Sequence, residues 1–181
     1  MQRACRLTVM FLALGRGVAT AASSSTTVLV KQLTLEAADA MANAALAEAS
    51  LRKFKNLSVC VVDLSGRELI VKAHPNCPRL IPELARAKAG AAIGMHASSR
   101  ALRDKYLPDK AAQLLATTVV GAAAGSEFIA VPGGVLCRDA DGDVVGAIGV
   151  SGASADEDEH CAIAGVEAVG LSPEPVQSQI D

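Results

Sequence analysis

Apolar residues first recur at helical spacing over Leu35, Ala38, Met41, Ala42, Ala45, Leu46 and Ala49, with Thr34 as a candidate N-cap and Glu36 in the first turn. This spacing predicts an amphipathic helix. The period then shortens: "SVCVVD" (58–63) and "RELIVK" (67–72) read as two short strands, joined through Leu64-Ser65-Gly66 as a hairpin. The loop "AHPNCPRLIP" holds three prolines and excludes regular structure. Pro82 opens "PELARAKAGAAIGM", a helix whose apolar positions are almost all Ala or Gly, so that a sheet or a neighbouring subunit can approach its backbone closely. Shorter helices are predicted over "SSRALRDKY" and "DKAAQLLATTV", on either side of Pro108. Strands follow at "EFIAV" (127–131), "GVLCR" (134–138) and "VVGAIGVSG" (144–152), then a last helix from about Ser154 to Val169. The order predicts an α+β domain with a largely antiparallel sheet flanked by helices.

Composition narrows what such a domain can do. The chain has 181 residues, enough for one domain and its ends, and its 2% aromatic content requires a core of small and branched side chains. Residues 1–32 carry Arg3, Arg6, Arg16 and Lys31 and no acid, which leaves 13 basic and 19 acidic residues in the remainder. That acidic, ring-poor domain lacks the basic field and stacking surface of a nucleic-acid binder. The apolar run Leu7–Leu14 is too short to span a bilayer, which takes about 20 residues. Its Arg-rich, Ser-rich, acid-free setting predicts a mitochondrial targeting presequence over 1–32, with a secretory signal cleaved after Ala19-Thr20-Ala21 as the alternative. The domain is expected over 33–171 and a frayed tail over 172–181.

Several short motifs carry candidate chemistry. Asp156, Glu157, Asp158 and Glu159 precede His160, and Asp156 and His160 share a helix face at a spacing able to hold a divalent metal. The competing explanation is a helix start, with Ser154 as N-cap and carboxylates at the positive end of the helix dipole, and it accounts for more of the cluster. "RDADGDV" has its glycine in the wrong place for a calcium loop and reads as an Asp-Gly hairpin turn. In "HPNCP", His74 and Cys77 lie three apart on a proline-stiffened loop. A Cys-Pro thiolate or an imidazole is the right donor type for haem iron, against a rigid loop whose Cys and His do nothing. His96 is a further candidate donor, or a surface histidine at a helix junction. Gly133-Gly134 forms a turn or bulge between strands, or lets a ligand approach the backbone. No cysteine belongs to a C-x-x-C pair, and the chain has no phosphate loop or nucleophile elbow.

From Leu33 to about Leu171 the chain resembles the GlcG/HbpS-like family, which also occurs as the C-terminal domain of PduO-type proteins. The matching blocks are "LTLEAADAMANAALAEA", "VCVVDLSGREL", "ELARAKAGAAI", "PGGV" and "GAIGVSGASADEDEHCAIAG", with Asp158 where the family usually has its Asp. The resemblance implies a profilin-like domain, a homo-oligomer built by close packing of small-residue helices, and binding of haem or a related tetrapyrrole. Haem sensing, storage or degradation is the function implied, with an enzyme or accessory factor for a small metabolite or corrinoid as the alternative. Where the family usually reads Met-Asp-Gly-Ala this chain has His74-Pro75-Asn76-Cys77, Leu136 replaces a proline after the Gly-Gly turn, and the first helix has no histidine. The expected haem site therefore lies near the 74–77 loop and the Gly133-Gly134 turn, with His74 or Cys77 on the iron.

Overall fold

The computed structural model describes residues 28–180. The presequence expected over 1–32 lies outside the described residues except at its end. Helix α1 (Leu35–Leu51) starts where the pattern placed it, and the Thr34 hydroxyl accepts the Ala37 N–H at 3.2 Å. Strands β1 (Ser58–Asp63) and β2 (Glu68–Ala73) form the expected hairpin. They are followed by α2 (Ile81–Met95), α3 (Ser99–Tyr106) and α4 (Ala111–Ala123). Strands β3 (Gly134–Arg138) and β4 (Val144–Ser151), helix α5 (Ala155–Glu167) and β5 (Ser172–Glu174) complete the chain.

All pairings in the five-stranded sheet are antiparallel, in the order β2-β1-β4-β3-β5. One face is covered by α1 and α5, whose Met41, Ala45, Cys161 and Val166 pack on Val59, Val61, Val135, Ile148 and Val150. The other face carries α2, where Ala85, Ala89 and Ala92 meet Cys60, Val62, Leu136 and Ala147. The alternation of strand residues between these two layers is the period-2 rule at work.

Two expectations are corrected. Residues 127–131 form no strand: the outer edge of β3 is occupied by β5, and this segment instead lies on α2, where the Ile129 N–H reaches the Ala87 carbonyl at 3.3 Å. Gly90 makes room for it, since a Cβ there would lie 2.5 Å from the Glu127 carbonyl oxygen. The tail over 172–181, expected to fray, contributes β5 through the pairs Leu136↔Glu174, Cys137↔Pro173 and Arg138↔Ser172. Arg138 Nε also donates to Glu174 at 2.7 Å, which anchors this short edge strand.

The contact of α2 with the sheet is made at backbone distance. A Cβ on Gly149 would lie 2.1 Å from the Ala85 carbonyl oxygen, so Gly149→Ala should destabilise the domain by about 1–3 kcal/mol through overpacking. Gly94, on the same helix, has nothing within 4 Å of its would-be Cβ. Gly94→Ala is therefore expected to stabilise by about 0.5–1 kcal/mol through helix propensity, both changes being read from denaturant midpoints.

Candidate functional site

Antiparallel register gathers the candidate loops at one end of the sheet. Ser58 pairs with both Ala73 and Ser151, and Gly134 pairs with Gly149, so the 74–77 loop, the Gly152 turn and the Gly133-Gly134 turn all leave the sheet at the same end. Among the described residues, two cavities open there. The first, of about 360 Å3, is lined on the α1 side by Leu46, Phe54 and Leu57, by Lys53 and Lys55, and by His74. The second, of about 220 Å3, is lined on the α2 side by Leu84, Lys88, Val131, Gly152 and Asp158.

The expectation of a single pocket touching both the 74–77 loop and the glycine turn is thus divided. The wall between the two cavities is backbone: a Cβ on Gly152 would lie 2.5 Å from the Asn56 carbonyl oxygen, and Asn56 lines the first cavity. His74 is exposed on the rim of that first cavity, its own N–H donated to Leu57 O at 3.0 Å. Its Nδ1 accepts the Asn76 N–H at 3.2 Å, so the neutral ring carries its proton on Nε2. Cys77 is half-buried, does not line that cavity, and burial pushes its thiol up from the ordinary value. His96 is exposed at the far end of α2, in the left-handed conformation with φ 47°. The 15 residues of α2 span about 22 Å at ~1.5 Å per residue, and His96, past their C-terminal end, lines neither cavity.

The second cavity is organised by a buried ion pair that the sequence reading missed. Lys88 Nζ donates to Asp158 Oδ2 at 2.7 Å and to the Val150 carbonyl at 3.0 Å, with both side chains nine-tenths or more out of water. Asp158 also accepts the Ala153 N–H at 2.9 Å from the loop before α5. Burial pulls the Lys88 ammonium down and pushes the Asp158 carboxyl up, each opposed by the partner's charge. Gly133 and Gly134 serve this pair. A Cβ on Gly133 would lie 2.8 Å from Lys88 Nζ, and one on Gly134 would lie 2.3 Å from the Lys88 carbonyl oxygen. Gly133 also has φ 122°, which side-chain-bearing residues rarely adopt. The visible signal was a lone lysine at i+3 from Ala85 on the small-residue face of α2.

The acid run resolves as a helix start whose members then diverge. Ser154 and Glu157 form a reciprocal capping box. Asp156 pairs with Arg100 of α3, whose Nε also donates to the fully buried Glu159 at 2.7 Å. His160 instead faces α1: Nε2 meets Glu48 Oε1 at 2.9 Å and Nδ1 meets the Ser178 hydroxyl at 3.2 Å. Asp156 and His160 are therefore not brought together. Among the described residues the one cluster with metal-ligand spacing is Asp139, Asp141 and Asp143 in the β3–β4 turn, and Lys31 already pairs with all three.

Breaking the buried pair with Lys88→Met alone should cost about 3–5 kcal/mol, because Asp158 is left uncompensated. The double change Lys88→Met with Asp158→Leu should recover most of that loss in the same denaturant titration.

Comparison with known proteins agrees with this architecture. Residues 33–167 match the family model described as haem degrading protein HbpS-like. HbpS is 30% identical over 83% of this chain and 99% of its own, with a TM-score of 0.66. A PduOC structure solved as a haem complex is 24% identical over 77% of this chain and 96% of its own, with a TM-score of 0.66. Klebsiella pneumoniae protein ORFY is 22% identical over 80% and 94%, with a TM-score of 0.68. No curated protein matches the chain.

Proposed function

The chain belongs to the HbpS-like family, and from that premise we propose that it binds haem in the cavity beside α1, with His74 on the iron. The carrying observation is the lining of that cavity. Haem presents an apolar ring, two carboxylates and an iron that takes a nitrogen donor, and the cavity offers Phe54, Leu46 and Leu57, the cations Lys53 and Lys55, and an imidazole on its rim. These residues fit the group in donor type and charge. Bound haem would supply an iron centre for redox chemistry or for ligand sensing, and the protein's part is to hold and orient it. To hold the iron through Nε2, His74 would carry its ring proton on Nδ1, where it now accepts the Asn76 N–H. Cys77, raised by burial and outside the cavity, is the weaker ligand candidate.

An iron donor exposed on the cavity's rim favours exchangeable haem, as sensing or storage requires, over a sealed prosthetic group. In a haemin titration the wild type should give a saturable Soret shift. His74→Ala should weaken it by about tenfold, Lys53→Glu with Lys55→Glu by less, and Cys77→Ala should leave it in place. An undiminished shift in His74→Ala sinks the assignment of the iron ligand, and no saturable shift in any form sinks the haem reading. Decay of the Soret band under reductant and oxygen would mark degradation rather than storage.

A homo-oligomer completes the proposal, with α4 as its contact. The small-residue face of α2 is taken by its own sheet, whereas α4 has no buried residue and leaves Leu115, Val119 and Val120 each at least 60% exposed. Sedimentation of the full chain should show an assembly that Leu115→Glu with Val119→Glu reduces to monomer. A monomeric wild type would overturn it. The acid-free, Arg-containing N-terminal segment supports a mitochondrial destination, which a fluorescent fusion retained in the secretory pathway would contradict.

A further inference from the structure

We propose that the second cavity, beside Lys88, is a binding site for a small neutral carbonyl compound whose oxygen accepts a hydrogen bond from the Lys88 ammonium. This site is separate from the haem reading and does not depend on it.

An ammonium has three N–H groups, and among the described residues Lys88 has two acceptors, the Val150 carbonyl and Asp158 Oδ2. The third N–H has no protein acceptor, although the side chain is only 4% exposed and lines the cavity. A buried donor of this kind is completed by whatever occupies the space in front of it. Lys88 is already compensated by Asp158, and Arg100 with Arg103 by Asp156 and Glu159, so a further anion meets no uncompensated cation whereas a neutral acceptor needs none. About 220 Å3 lies below the roughly 300–1,000 Å3 of a drug-sized site, which excludes a tetrapyrrole. Ile81, Leu84, Ile129, Val131 and Ala155 supply aliphatic walls for a short alkyl body. A polar oxygen at one end and two to four carbons at the other describe a small ketone, aldehyde or amide.

The arrangement also accounts for a feature that stability does not. A buried ion pair gains little over well-packed apolar residues of the same volume, so its value lies in holding a charged donor at a fixed point. Asp158, tied to Ala153, fixes the ammonium, and Gly133 allows it to sit there.

The test uses the full chain with butanone, propionamide and propionate as probes, followed by saturation-transfer NMR and calorimetry. Butanone and propionamide should bind saturably with millimolar dissociation constants, and propionate should not compete. Ala155→Phe, which fills the cavity without touching the ion pair, should weaken both by about tenfold or more. The double change Lys88→Met with Asp158→Leu should do the same. Haemin binding should be unchanged in Ala155→Phe, so failure at this site and failure of the haem reading appear in different titrations. Should the double variant not fold, Ala155→Phe decides. Tighter binding of propionate than of the neutral probes overturns the ligand class. No saturable binding, or binding undiminished in Ala155→Phe, overturns the site and leaves the third N–H to water.

Discussion

Where α2 crosses the sheet, the carbonyl of Ala85 lies 2.1 Å from the point at which a side chain on Gly149 would begin, and the carbonyl of Lys88 lies 2.3 Å from the same point on Gly134. Helix and strands touch backbone to backbone because Ala85 and Ala89 face Gly149, and the backbone of Lys88 faces Gly134, across the contact. Such an interface has few methylene groups to bury, so dispersion between closely spaced backbones stands in for the bulky side chains that the chain lacks. It also fixes the height of α2 above the sheet. That height brings Lys88 within reach of β4 and the start of α5.

An ammonium in this position cannot remain solvated, and its geometry is the consequence. Val150 and Asp158 replace water at two of its hydrogens, while Asp158 is itself held by the loop before α5. The pair therefore joins α2, β4 and α5 at one point. Beside it, Arg100 reaches from α3 to Asp156 and Glu159. Glu159 keeps one oxygen without a partner among the described residues, and burial pushes its carboxyl up. The first turns of α5 thus anchor two helices through charge. The apolar side of α5 anchors a third, α1, through Met41 and Ala45.

The two cavities differ because they look onto different layers. The one beside α1 ends at the exposed turn Lys53–Asn56 and the 74–77 loop, where side chains are long, cationic and free to adapt to a large flat ligand. The one beside α2 is bounded by aliphatic residues, by the ion pair and by Ser151, so it is small and its polar groups are few. Backbone contact between Asn56 and Gly152 keeps them apart. Family membership speaks to haem; it leaves the smaller cavity unassigned.

Local signals in the chain were sufficient for α1, the β1–β2 hairpin, the N-cap at Ser154 and the Asp-Gly turn, because each rests on residues within a few positions of one another. The blocks around Gly133-Gly134 and Asp158 were likewise enough to place the chain in its family. Residues 127–131 and 172–174 exchanged roles for a reason no local pattern contains: which segment pairs with β3 depends on which one reaches its free edge. The candidate site shows the same limit. Lys88 finds Asp158 across 70 positions, Arg100 finds Glu159 across 59, and His160 finds Glu48 across 112. Sequence alone determined that these charged groups exist and on which helices they ride. Their partners, and the division of one expected pocket into two, were decided only when the sheet fixed the distances between layers, since a charge moved out of water must take whatever counter-charge packing brings to it.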